Sequence, residues 1–280
     1  MSGALYLVGT PIGNLGDFSP RAVEVLQQVD FIAAEDTRVS LKLLNRFEIK
    51  KPLVSYFEHN KNVSGERILS RLLGGETCAL VTDAGMPAIS DPGEDIVRMC
   101  AEHNIDVFVV PGPSAVVSAL AVSGLPTSRW CFEGFLSVNK KERIPHLESL
   151  QKEMRTMIFY EAPHRLTDTL EELAELFGAD RQMAATRELT KKFEEVRRDT
   201  IGGHLKHFTE NPPKGEFVLV CEGFSLEAQR QEEMESWESI SVEEHVQKYI
   251  DAGMSEKDAM KQAAKDRGVS KRDIYQVLKK

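Results

Sequence analysis

No apolar run in this chain is long enough to cross a bilayer: the runs, such as residues 5–8 and 107–110, are strand-sized, far short of the ~20 residues a helical span needs. The first residues, Met1-Ser2-Gly3-Ala4-Leu5-Tyr6, lack the basic and long apolar regions of a secretory signal, so a cytoplasmic location is expected. Cysteine is scarce. Cys78, Cys100, Cys131 and Cys221 are far apart with no C-x-x-C pair, so neither a disulfide framework nor a zinc site is indicated and buried thiols are expected. There is no G-x-S-x-G elbow for a hydrolase and no H-E-x-x-H or paired histidine spacing for a metal. A glycosidase carboxylate pair stays open, because its separation is spatial. Basic residues are outnumbered, 35 Lys and Arg against 44 Asp and Glu for a formal charge of −9. Taken in bulk, that balance argues against a nucleic-acid partner.

What is present is an ordinary globular composition, 280 residues with 41% hydrophobic and 28% charged, enough for two domains and a small appendage. Through residue 125, strand-like runs at 5–8, 31–34, 53–55, 78–81 and 107–110 alternate with helical periodicity at 20–28, 38–46, 65–73, 94–103 and 114–122. This alternation predicts an α/β domain with a mostly parallel sheet. Ser19-Pro20, and by the same pattern Asp91-Pro92, mark helix starts. A second α/β block follows, with strands near 130–136, 157–160, 182–186, 194–199 and 217–221 and helices near 141–152, 165–177 and 203–208. The expected organisation is an N-terminal α/β domain (1–125), a C-terminal α/β domain (126–224), an acidic linker (225–240) and a basic three-helix unit (241–280).

Residues 226–256 carry nine acids against Arg230 and Lys248, the composition of a solvated linker merging into a helix. Three capping patterns follow, Ser241-x-x-Glu244, Ser255-x-x-Asp258 and Ser270-x-x-Asp273, each opening an apolar-periodic run. The implied three-helix unit has helix-turn-helix form. Its last stretch, 257–280, has eight basic residues against three Asp; this suits phosphate contact or a solubilising cap equally.

The chemistry gathers at strand ends, where open α/β sheets bind ligands. Gly9-Thr10-Pro11-Ile12-Gly13-Asn14-Leu15-Gly16 follows the first strand, but its spacing is neither a dinucleotide fingerprint nor a P-loop, and a tight structural turn explains it. Thr82 to Gly93 (TDAGMPAISDPG) is a long small-residue loop that leaves backbone open to a ligand, with Asp83 as an acceptor. Pro111-Gly112-Pro113-Ser114-Ala115 repeats the design one strand later, so the two loops suggest one cleft. Glu35-Asp36-Thr37-Arg38 either lines the rim of that cleft or serves locally, with Asp36 or Thr37 capping a helix and Arg38 pairing nearby. His59, in Tyr56-Phe57-Glu58-His59-Asn60, is a base or a surface residue. Glu161-Ala162-Pro163-His164-Arg165 and Arg187-Glu188-Leu189-Thr190-Lys191-Lys192 cluster charges after strands of the second block.

Together the segments around Gly9, Glu35-Asp36-Thr37-Arg38, Thr82 to Gly93, Pro111 to Ala115 and Glu161 to Arg165 resemble the bacterial 16S ribosomal RNA cytidine-2′-O-methyltransferases of the tetrapyrrole methylase superfamily. The resemblance runs in order from residue 4 to about 224. It implies two α/β domains with S-adenosylmethionine in the cleft between them, a homodimer, and methylation of a cytidine ribose within the small ribosomal subunit, with no metal, membrane or DNA involved. Carried over, the cofactor residues are Pro11, Asp83, Ala84, Gly85, Pro87, Ile89, Ser114, Ala115 and Tyr160. The candidate proton acceptors are Glu35, Asp36 and His59, with Asp36→Ala as one test, while Arg38, His164 and Arg165 are candidates for positioning phosphate or ribose. C-methylation of a tetrapyrrole is the alternative, and a non-catalytic RNA-binding module that keeps the cleft is a third reading.

The net charge is therefore uneven. Residues 181–198 hold six basic residues against three Glu, and 257–280 are net +5. Local basic patches of this kind suit a structured ribosomal particle. Deleting residues 226–280 is expected to weaken small-subunit binding and flatten its salt dependence; unchanged binding across a salt series would remove the tail from that role.

Overall fold

The computed structural model describes residues 3–225, 237 and 240–278. It divides into two compact units, Met1–Glu148 with Thr156–Glu222, and Ser149–Arg155 with Gly223–Lys280.

The first unit holds two five-stranded sheets. β1 (Ala4–Val8), β2 (Phe31–Ala34), β3 (Leu53–Ser55), β4 (Cys78–Val81) and β5 (Asp106–Val110) are all parallel, in the order β3-β2-β4-β1-β5. Successive residues of a strand face opposite ways, so a sheet covered on both faces needs unbroken apolar runs. Phe31, Ala33, Cys78 and Leu80 belong to one core with Ile68, Leu72, Ile96 and Cys100. Ile32, Ala34, Ala79 and Val81 belong to the other, with Ala22, Leu26 and Leu44. The first core is supplied by α3 (Lys61–Leu73) and α4 (Gly93–Glu102), the second by α1 (Pro20–Gln28) and α2 (Thr37–Arg46).

Ser19 caps α1 through the Ala22 amide as its sequence predicts. Asp91 does not cap α4 in the predicted way. Pro92 takes the cap position without a side-chain bond, and Asp91 Oδ1 accepts from the amides of Ala88 and Gly93 instead, tying the loop rather than only the helix. Helix α3 starts four residues before the apolar periodicity, because its first turn is polar.

The second sheet, β6 (Trp130–Phe135), β7 (Thr156–Glu161), β8 (Gln182–Arg187), β9 (Glu195–Thr200) and β10 (Phe217–Cys221), runs β6-β7-β10-β8-β9. Only β6 and β7 are parallel; the remaining pairings are antiparallel. Helix α5 (Ala115–Ser123) follows the first sheet in sequence but buries Val116, Ala119 and Leu120 against Ile158, Ala184, Val218 and Val220 of the second. Arg198 of β9 donates to the carbonyl of Ser123 at the end of that helix. The remaining helices of this unit are α6 (Lys140–Leu150), which crosses into the second unit at its end, α7 (Leu166–Phe177) and α8 (Ile201–Glu210). Among the described residues the cysteines form no disulfide, and burial pushes Cys100 up to about 11 and Cys221 up to about 12.

In the second unit α9 (Val242–Asp251), α10 (Glu256–Asp266) and α11 (Lys271–Leu278) enclose Val246, Ala259, Met260, Ala263 and Ile274. All three serine caps form: Ser241, Ser255 and Ser270 accept from the amides of Glu244, Asp258 and Asp273. Gly253 and Gly268 supply the left-handed turns between these helices. Most of the acidic stretch expected as a linker, residues 226–236 and 238–239, lies outside the described residues. Among the described residues no helix is long and apolar enough to cross a membrane.

His204 of α8 is fully buried, with Nε2 at 3.0 Å from the Met183 carbonyl oxygen. Burial holds its pKa below the ordinary 6.5. As pH falls through that value the unfolded chain takes up the proton first, so stability present above pH 6.5 is lost below it. Urea denaturation should show the midpoint falling from about pH 7.5 to about 5.5. His204→Leu should flatten that slope and cost about 1 kcal/mol at the upper pH by removing the bond to the Met183 carbonyl.

Candidate functional site

Three loops at the carboxyl end of the parallel sheet are locked to one another by backbone. Thr10 exchanges both amide hydrogen bonds with Gly85, N to O at 2.9 and 3.2 Å, joining the loop after β1 to the loop after β4. Gly85 holds φ +88, a conformation that favours glycine. A Cβ on Gly9 would stand 2.7 Å from Gly112 Cα, so the loops after β1 and β5 touch main chain to main chain. The Gly112 amide donates to Met86 Sδ at 3.3 Å, and the Thr10 hydroxyl to the Thr82 carbonyl at 3.1 Å. Ala88 and Ser90 have φ +66 and +65, strain that Asp91 restrains through its two amide bonds.

These loops form one wall of a cavity of about 440 Å³, within the size range of small-molecule and cofactor sites. The other wall comes from strand ends of the second sheet: Phe135, Tyr160, Glu161, Thr186, Phe217 and Val218, with Leu189, Lys191 and Glu216 from the adjoining loops. Glu188 and Thr190 in that segment have φ +50 and +65, so non-glycine strain flanks the cavity on both sides.

The carboxylates differ in environment. Glu35 lines the cavity and accepts from the Thr82 hydroxyl at 2.6 Å. Asp91 also lines it, and burial pushes its carboxyl up against the two amide bonds. Glu161 is nearly inaccessible, held by the Thr169 hydroxyl at 2.6 Å and the Ala162 amide at 2.8 Å. Lys191 Nζ pairs with Glu188 at 3.0 Å and Glu216 at 2.6 Å.

Of the residues named from sequence, Glu35, Ala84, Gly85, Ile89, Ser114, Ala115 and Tyr160 line the cavity. Pro11, Asp83, Pro87, Asp36, Arg38, His59, His164 and Arg165 are not among its lining residues. Pro87 borders a small void behind Glu35, beside Tyr56 and Asp91. Asp83 Oδ1 accepts from the Asp36 amide at 3.1 Å. Asp36 caps α2 through the Arg38 amide, and the Arg38 guanidinium grips both its oxygens at 3.0 and 2.6 Å. That grip holds the Asp36 carboxyl down at about 2. His59 and His164 are exposed, and Arg165 donates to the Leu136 carbonyl at 3.0 Å, joining the ends of β6 and β7.

Sequence reading missed Phe135, Thr186, Glu216, Phe217 and Val218. They sit at ends of a mixed sheet and carry no motif; only Lys191 had a signal, its charged segment. The basic surplus at 181–198 is largely consumed internally. Arg187 pairs with Glu195, Arg197 with Asp199, and Arg198 binds the end of α5.

Residues 4–203 match the family described as Tetrapyrrole (Corrin/Porphyrin) Methylases. A Bacillus subtilis (strain 168) protein named ribosomal RNA small subunit methyltransferase I is 50% identical over 273 residues, 98% of this chain and 93% of its own length. The chain belongs to that methyltransferase family. A Thermotoga maritima family member is 47% identical over 221 residues, 79% of this chain but 99% of its own length, so about a fifth of this chain has no counterpart in it. Among solved structures, a Thermus thermophilus uroporphyrin-III C-methyltransferase aligns with TM-score 0.55 at 21% identity, over 78% of this chain and 94% of its own. A diphthine synthase aligns with TM-score 0.59 at 15% identity, over 79% and 90%. These neighbours share the fold with the methyltransferase I family. That fold places loops from both sheets around one cavity.

Because Gly9 and Gly112 leave no room for a side chain, Gly112→Ala should force the loops apart and destabilise the protein by about 1–3 kcal/mol, read as a lower urea midpoint.

Proposed function

We propose that this chain transfers a methyl group from S-adenosylmethionine to the ribose 2′-hydroxyl of a cytidine in 16S rRNA of the small ribosomal subunit. The observation that carries this reading is identity of 50% across 98% of the chain to a relative named for small-subunit RNA methylation. The cavity fits such a cofactor. Ala84, Gly85, Ser114 and Ala115 leave main-chain groups open on one wall, and the Asp91 carboxylate suits a ligand carrying sulfonium and ammonium charges. When bound, S-adenosylmethionine supplies a methyl group already activated by its sulfonium charge.

What remains for the protein is the hydroxyl, a weak nucleophile that needs alignment and a proton acceptor. Glu35 fills that role in our reading, because it alone of Glu35, Asp36 and His59 lines the cavity. Asp36, held at about 2 by Arg38, binds a proton too weakly to be an effective acceptor. Its service is structural: it caps α2 next to Glu35. His164 is exposed and available to phosphate, as is the outer side of the Arg38 guanidinium beyond its pairing with Asp36, and the basic stretch 257–280 offers further contacts. A cytoplasmic homodimer completes the reading. Phe108 on the edge strand β5, stacked on Tyr6, is about half exposed and offers an apolar ring to a second copy.

Tritiated cofactor incubated separately with assembled small subunits, naked rRNA and a porphyrinogen tests the substrate. Label is expected in a ribose of the RNA from small subunits; label in the porphyrinogen alone would establish the tetrapyrrole alternative, and label in none a non-catalytic role. Glu35→Gln should lower kcat about 10²–10⁴-fold while calorimetric affinity for S-adenosylhomocysteine is kept. Asp36→Asn should remain within a few-fold of the parent rate, and the reverse pattern would transfer the proton to Asp36.

A further inference from the structure

The polar lining of the cavity accounts for cofactor and hydroxyl chemistry but leaves one aromatic ring without a purpose. In an unbroken strand Phe132 and Phe135, three residues apart, face opposite sides of the sheet. In β6 they do not. The register against β7 slips between Phe132 and Gly134, and Gly134 adopts φ +66. Both rings then rest on Tyr160, with centroids 4.9 and 5.2 Å away. Bulges re-aim side chains in this way beside functional sites. A Cβ on Gly134 would come within 3.4 Å of Ser90 Oγ, so the bulge packs close to the strained loop after β4. The result is a phenylalanine that lines the cavity and is nevertheless 61% exposed.

An exposed ring held rigidly at a cavity wall calls for a flat apolar partner. We propose that Phe135 is the platform on which a nucleobase of single-stranded RNA stacks as its ribose enters the cavity. This rests on the RNA-methylation reading above. Charge on the same cavity supports it: Lys191 lines the cavity with Phe135, and directly after it in the chain Lys192 lies over the ring of Phe193, at 5.6 Å, with Phe193 66% exposed. Cations interleaved with exposed aromatics are how unstacked strands are held, the rings taking base faces and the cations the backbone. Duplex RNA hides its base faces, so the platform selects an unpaired target.

The test compares Phe135→Ala and Phe135→Trp with the parent, measuring KM for assembled small subunits and calorimetric Kd for S-adenosylhomocysteine. Phe135→Ala should raise KM about 10-fold or more with the S-adenosylhomocysteine Kd unchanged, and Phe135→Trp should restore KM. An unchanged KM overturns the platform. Loss of S-adenosylhomocysteine affinity with KM intact assigns the ring to the cofactor and overturns it equally. If the parent protein labels no RNA, the functional reading itself fails and the platform with it; a parent that labels RNA while Phe135→Ala does so identically removes the platform alone.

Discussion

The structure depends on one close approach of backbones. Gly9 and Gly112 meet with no space for a Cβ between them, and Thr10 and Gly85 exchange paired amide bonds alongside. Parallel strands end side by side, but their loops ordinarily go separate ways. Here three loops are joined into a single wall, and main-chain groups that would otherwise bind water satisfy one another. Ala84, Gly85, Ser114 and Ala115 line the cavity because that wall exists.

Strain follows from the same constraint. A loop tied at Gly85 and again at the start of α4 has few residues left to close the distance, and Ala88 and Ser90 absorb it in the left-handed region. Asp91 holds the strained turn with one oxygen on two amides, while burial works against its own ionisation. Across the cavity Glu188 and Thr190 are strained in the same sense, and Lys191 is anchored between Glu188 and Glu216. Both walls are thus set before a ligand arrives, the condition for aligning two reactants at little entropic cost.

Local chemistry separates residues that the sequence groups together. Glu35 and Asp36 are adjacent carboxylates at one strand end, yet one faces the cavity and the other is consumed by Arg38 and a helix amide. Chain direction decides this, since neighbouring residues at a strand end point opposite ways. His164 and Arg165 divide likewise, the first exposed and the second turned onto the Leu136 carbonyl. The basic surplus at 181–198 also resolves into internal pairs: Arg187 finds Glu195 across the β8–β9 ladder, and Arg197 finds Asp199 two residues along the same face of β9.

The parallel first sheet was legible from the amino acids alone, since strands buried on both faces must be continuously apolar and their helices must be amphipathic. So were the caps at Ser19, Ser241, Ser255 and Ser270, which act within one turn. The small-residue loop at 82–93 announced open backbone by its lack of bulk, and residues from it line the cavity. Tertiary structure alone decided that α5 packs on the second sheet, that Glu35 and not Asp36 lines the cavity, and that a bulge at Gly134 aims Phe135 at it. Those outcomes turn on contacts between segments tens of residues apart, and no periodicity within a segment carries information about its partner across the fold.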